Sequence, residues 1–93
     1  MSGSVKKIVW DKWNKKHIKK HKVTVQEVEE VYRAKKIINE SYLGRQIVLG
    51  KTKKGRLLAV VLSQEREKKL YVVSARDASI KERKIYYEKT KTH

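Results

Sequence analysis

Two histidines four residues apart, His17 and His21, are the first residues in this chain whose type and spacing could do chemistry. On a helix that spacing points both imidazoles the same way. Histidine titrates near neutrality, so such a pair could carry protons to and from sugar hydroxyls. Three arginines join them as candidates for meeting negative charge. Arg56 opens an apolar run after a glycine turn, Arg76 falls where the last β-rich segment ends, and Arg83 lies in the first turns of a closing helix. An arginine beside a helix N-terminus combines a forked donor with backbone amides, a natural phosphate cradle, so Arg76 with the amides of Ile80 to Glu82 is one such place. Lys16, Lys20, Arg45, Lys51 and Lys54 are candidates for gripping a nucleic-acid backbone. Tyr86 and Tyr87 diverge by about 100 degrees on a helix, so one packs inward and the other is placed to stack on an unpaired base; Tyr86 is taken as the stacking residue.

Each of these has a plainer reading. Either histidine could be a core-edge residue hydrogen-bonded to backbone. Arg76 could pair with Asp77 or Glu82, as surface arginines commonly do. Tyrosines at helical spacing are more often core, and Trp10 and Trp13 are assigned to packing. The histidine spacing would also suit zinc. With no cysteine in the chain, and His93 at its end a poor third ligand, no metal and no cofactor is expected. Gly44, Gly50 and Gly55 are too scattered for a phosphate loop, and Ser74 is not in a nucleophile elbow.

Charge narrows the partner. Twenty-five Lys and Arg against ten Asp and Glu leave +15 on 93 residues. That excess creates a positive potential able to steer and hold a polyanion. A surface adapted to heat mixes lysine with nearly as much glutamate; here the balance is one-sided, so a nucleic-acid partner is expected. The longest apolar run, Leu57 to Leu62, is six residues, far short of a membrane span, and the first residues lack the apolar stretch of a secretory leader. A cytoplasmic protein with no membrane partner is the expectation.

These side chains need a scaffold, and 93 residues allow one thin-cored domain. Residues 1–7 read as a loose or vector-derived end, 8–88 as the domain and 89–93 as a frayed basic tail. Ile8 to Trp10 is a short edge strand. Asp11 to His21 reads as a helix whose inner side carries Trp10, Trp13, His17, Ile18 and His21. Thr24 and Glu27 form a capping box for a second helix, with Val23 stapled to Val28 and a buried stripe of Val25, Val28, Val31 and Tyr32. Gln46–Leu49, Leu57–Ser63 and Lys69–Ser74 are β-rich and joined by short turns, which favours an antiparallel meander. Leu57–Leu62 is apolar on both faces, which suits a central strand covered on one side by helix. Ser79 and Glu82 cap a last helix through Ile80, Ile85 and Tyr87. The sum is an α+β fold: two N-terminal helices packed on a three- or four-stranded antiparallel sheet, with a C-terminal helix.

The order of these pieces resembles a known family. Asp11, Asn14-x-x-His17, His21-x-Val23-Thr24 and Glu27-Val28-x-Glu30-Val31 look like the opening of the BrnT toxins. Gly50-Lys51-Thr52, Gly55-Arg56-x-Leu58 and Ser74-Ala75-Arg76-Asp77-Ala78-Ser79 with Glu82, Arg83 and Tyr86 continue the match, over about Ile8 to Glu88. The resemblance implies a RelE-like fold. It implies a ribonuclease that halts translation, silenced by a BrnA-like antitoxin with which it represses its own operon, so that operator DNA is met only through the antitoxin complex. It also implies His and Arg or Lys groups around the RNA in place of a metal. One departure stands out: Lys22 occupies the place where the family usually has a glycine able to end the first helix in a left-handed conformation.

Three functions compete on these grounds. The first is a metal-independent endoribonuclease in which a 2′-hydroxyl attacks the adjacent phosphate, with His17 or His21 as base or acid and Arg56, Arg76 and Arg83 stabilising charge on phosphorus. The second is a non-catalytic RNA- or ribosome-binding domain. The third is an adaptor recognised by an acidic protein.

Overall fold

The Asp11 carboxylate accepts from the amide of Asn14 at 2.9 Å, and the Asn14 side-chain oxygen accepts in turn from the Asp11 amide, also at 2.9 Å. This reciprocal cap starts α1 (Lys12–Lys19), and Asn14 fixes which side of it faces inward by donating to the Val9 carbonyl at 2.8 Å. The computed structural model describes residues 7–34, 36–40, 44–66 and 69–91. Before α1 runs β1 (Lys7–Val9); after it come α2 (Val25–Arg33), β2 (Lys36–Glu40), β3 (Arg45–Lys51), β4 (Leu57–Arg66), β5 (Lys69–Asp77) and α3 (Ile80–Thr90).

The strands form a single five-stranded sheet in the order β1-β5-β4-β3-β2. β2 to β5 are the expected antiparallel meander with one strand added, whereas β1 pairs parallel to β5. The expectation of a three- or four-stranded antiparallel sheet is thus corrected to a mixed sheet of five. β2 escaped notice because Lys36, Asn39 and Glu40 dilute its apolar signal and it lies at an edge, where Ile38 is exposed.

The central strand explains the layering. Leu58, Val60 and Leu62 of β4 pack with Ile18, Val23, Val28, Val31, Leu70 and Val72 beneath α1 and α2. Leu57 and Ala59, one residue out of phase, pack with Leu49 and Tyr86 beneath α3. Alternation along a strand sends successive side chains to opposite faces, so a run apolar at every position requires helices on both sides. The molecule is a helix pair, a sheet and a single helix in three layers. At Gly50 a β-carbon would stand 3.0 Å from Val31 Cγ1 and 3.3 Å from the Val31 carbonyl oxygen, so glycine lets α2 approach β3.

Three side chains expected on the inner side of the first helix, Trp13, His17 and His21, are exposed. Trp13, assigned to packing, is 77% exposed, because the buried positions of α1 are Asn14 and Ile18. Ile80, at the start of α3, is exposed, and that helix buries Tyr86 and Thr90. α3 extends to Thr90, past residue 88, and Lys7 already belongs to β1. The remainder of the two assigned ends, residues 1–6 together with 92 and 93, lies outside the described residues. Among the described residues no helix is long and apolar enough to cross a membrane.

Candidate functional site

α1 ends in a left-handed turn. Lys22 has φ 58°, its amide donates to Lys19 O at 2.9 Å, and the Val23 amide reaches back to Ile18 O at 3.1 Å. These are the paired bonds of a Schellman ending, and Ile18 and Val23 meet in the core beneath it. Lysine therefore adopts the conformation for which glycine is usual. The turn leaves His21 at the end of the sheet where β4 begins and β5 ends.

Arg56 holds the turn there. Its Nη1 donates to the Lys22 carbonyl at 2.7 Å and its Nη2 to the His21 carbonyl at 3.2 Å. The same guanidinium binds Asp77 through Nε at 2.7 Å and Nη2 at 3.3 Å, and Glu27 through Nη1 at 3.2 Å. These carboxylates raise the pKa of Arg56, Asp77 contributing most. Asp77 is correspondingly held below the usual carboxylate range, first by its hydrogen bond from Arg56, then by the charges of Arg56, Arg83 and His21. Arg56 thus binds Asp77 directly, and the charges of Arg83 and His21 act on it in the same direction.

Arg76 repeats the device on the other face of the sheet. Its guanidinium grips Glu82 with two bonds, 2.7 and 3.0 Å, and donates to the Asp77 carbonyl at 3.2 Å. That pairing pulls the Glu82 carboxyl down to about 2, the hydrogen bond from Arg76 being the largest cause. Glu82 also accepts from the Ser79 amide at 2.8 Å. A carboxylate of the chain itself thus occupies the space that a phosphate would take between Arg76 and the start of α3. The phosphate cradle expected at Arg76 is filled, and the pairing with Glu82 is the reading that describes it. Both strand-end arginines are bound by the third-position glutamate of a helix capping box, Glu27 in α2 and Glu82 in α3.

His17 lies one turn before His21 on α1, both rings exposed, with centroids 6.1 Å apart and planes tilted by 58°. Lys16 and Lys20 flank them in solvent, so neither histidine has the core-edge burial of the plainer reading. The charge of Arg83 acts on both Asp77 and Tyr87. The Tyr87 hydroxyl is drawn below the ordinary phenol range, chiefly by its bond from Lys51, with Arg83 adding to the effect. Lys51 also lies over the Tyr87 ring, 4.7 Å from its centroid. Lys54 is exposed in the turn between β3 and β4, where the Lys53 amide is anchored to Glu30 at 3.1 Å.

Two candidates leave the site. Arg45 stands opposite Ser63, whereas Lys51 stands opposite Leu57; six residues of strand put Arg45 about 20 Å away at the other end of the sheet. Tyr86 is only 5% exposed and edge-on to Tyr87, with ring centroids 5.4 Å apart, so it is the packed member of the pair. Asp77 and Glu82 were named as possible partners of Arg76, and Glu82 is the one whose carboxylate binds it. Glu27 was legible only as a capping residue, and nothing in the spacing announced that it and Asp77 would neutralise Arg56. Among the described residues no three His, Asp or Glu side chains are grouped to hold a metal ion.

A family model described as the ribonuclease toxin BrnT of type II toxin–antitoxin systems matches residues 10–82. The crystal structure of the Brucella abortus ribonuclease toxin BrnT shares this fold, with a TM-score of 0.64, 23% sequence identity and coverage of 80% of this chain and 97% of that one. No curated protein matches the chain in sequence. The family match begins at Trp10 and takes in α1, the left-handed turn, Arg56, Asp77 and Glu82. The chain belongs to the BrnT family of ribonuclease toxins of type II toxin–antitoxin systems.

Proposed function

We propose that this protein is a metal-independent endoribonuclease that cuts at the end of the sheet defined by His17, His21 and Arg83. The observation that carries the reading is the exposed imidazole pair, 6.1 Å between ring centroids. That separation leaves room for a phosphodiester between a base and an acid. One imidazole takes the proton of the 2′-hydroxyl as its oxygen attacks phosphorus; the other gives a proton to the 5′-oxygen as the P–O bond breaks, leaving a 2′,3′-cyclic phosphate. Arg83, with Lys16, Lys20 and Lys54, meets the charge of the backbone and of the transition state. Arg56 and Arg76 act as positioning residues, since carboxylates already compensate them.

In the cell, a BrnA-like antitoxin silences the nuclease, and operator DNA is reached only through that complex; both work in the cytoplasm. The test is incubation of purified protein with single-stranded RNA in excess chelator. Cleavage that is lost in His17→Ala, His21→Ala and Arg83→Ala supports the assignment. RNA left intact by the wild type, or cut equally by all three variants, removes it.

The neutralised state of Arg56 and Arg76 favours one second reading, a basic domain that grips RNA or the ribosome without cutting. Its signature is affinity that falls steeply with salt while the RNA survives long incubation.

A further inference from the structure

Trp13 is 77% exposed on a helix where Lys12, Lys15, Lys16, His17, Lys19 and Lys20 are exposed as well. Large aromatics are seldom left so open, and this one has no apolar neighbour on its own side of α1 that would make a protein-docking patch. Its helical neighbours at three, four and seven residues are Lys16, His17 and Lys20. An indole face set among lysines has the chemistry of a stacking platform for single-stranded nucleic acid, in which cations hold the backbone and the ring takes a base.

Register along the helix supports this. Trp13 and His17 lie one turn apart on adjoining outer positions of α1, and His21 follows four residues later in the turn that closes the helix, its ring centroid 6.1 Å from that of His17. Each interval is about 6 Å along the axis, the scale of one nucleotide step in an unstacked strand. The Asp11–Asn14 cap holds the start of α1, and the Arg56 bonds hold its end. Trp13 is therefore fixed relative to the imidazoles by both ends of a short helix.

We propose that Trp13 is a nucleobase subsite: it stacks one unpaired base of the RNA two turns from His21 and so positions the strand along α1 for cleavage at the histidine pair. The proposal rests on RNA being the ligand of this end of the sheet. It makes the chain select unpaired over duplex RNA, because a base inside a helix offers no face to the indole.

Binding is measured with a labelled 2′-O-methyl oligonucleotide, which lacks the attacking hydroxyl and stays intact, against wild type, Trp13→Phe and Trp13→Ala. Trp13→Ala should bind about tenfold more weakly and Trp13→Phe within about threefold of wild type. Replacing one base of the oligonucleotide by an abasic position should cost the wild type a similar factor and cost Trp13→Ala nothing. Equal affinity of wild type and Trp13→Ala overturns the proposal, as does an abasic penalty shared by both. A Trp13→Ala protein that binds the oligonucleotide normally but loses its antitoxin would make Trp13 a protein anchor instead. Since this assay needs no cleavage, failure of the nuclease reading is scored separately, on unmodified RNA.

Discussion

Arg56 and Lys22 are 34 residues apart, yet the guanidinium of one lies 2.7 Å from the carbonyl oxygen of the other. The bond closes onto the residue whose left-handed backbone ends α1, so the start of the central strand β4 and the histidine-bearing helix share one clasp. Asp77 and Glu27 hold the other edges of the same guanidinium. What reads in sequence as a spare cation for phosphate is the fixing point of the site.

Arg56→Ala should therefore impair cleavage without removing any charge that faces RNA. Releasing the carbonyls of His21 and Lys22 lets the imidazole drift, and a displacement of about 1 Å in a catalytic group can cost on the order of a hundredfold. Stability should fall by about 2 kcal/mol as two carbonyls and two carboxylates lose their donor. Arg56→Lys should rescue little, because an ammonium cannot span four acceptors in a fork. Urea titration gives the stability, and single-turnover cleavage at saturating enzyme gives the rate; normal kcat in Arg56→Ala would mean that the clasp does not position His21.

Lys22→Gly should stabilise the protein. A non-glycine residue at φ 58° carries a left-handed strain of roughly 1 kcal/mol or slightly more. The added freedom of glycine in the unfolded chain takes back part of that gain. A net gain near 0.5 kcal/mol raises the melting temperature of a domain this size by roughly 2–4 °C. A lower melting temperature would show that the lysine side chain contributes more than its backbone costs.

The Arg76–Glu82 pair predicts an acid-labile helix start. The Glu82 carboxyl is pulled down to about 2 in the folded protein by its hydrogen bond from Arg76, below the ordinary glutamate value of 4.5. Folding therefore gains stability above the unfolded pKa and loses it as pH falls from about 4.5 towards 2. Asp77, lowered by Arg56, acts in the same direction. Arg76 is partly open to solvent, so screening limits the Glu82 contribution to the order of 1 kcal/mol. Urea midpoints should drop across that window in the wild type and drop less in Glu82→Gln, which starts lower at pH 7. Parallel curves would separate the acid response from this pair.

Local signals placed most of the scaffold and little of its pairing. Thr24–Glu27 and Ser79–Glu82 marked two helix starts because a capping box is written in four consecutive residues. Leu57–Leu62 announced a central strand because only a strand covered on both faces keeps every position apolar. The parallel union of β1 with β5 joins residues 62 positions apart, Ile8 with Leu70, and no periodicity records such a partner. Asn14 defeated the reading of α1 for a related reason: a polar residue counts as outward in a hydrophobic pattern, but its bond to Val9 turns it in and sends Trp13 out. The candidate cations were found by type. Which of them carry unspent charge depended on Glu27, Asp77 and Glu82 arriving from other elements.

Arg83 and Arg45 then make a matched pair, equal in charge and opposite in placement. Arg83, on α3, acts on the titration of Asp77 and Tyr87, whereas Arg45 sits on β3 opposite Ser63. Removing a cation that meets charge developing on phosphorus costs about a hundredfold or more in kcat, so Arg83→Ala should lose that much. Arg45→Ala should stay within about twofold of wild type. Both are exposed and neither forms an ion pair among the described residues, so folding stability should change little in either. If the long-range field of a strongly basic chain were all that mattered, the two variants would lose activity alike, and raising the salt would erase the wild type's advantage over both. Unequal losses that persist at raised salt would tie the chemistry to one end of the sheet.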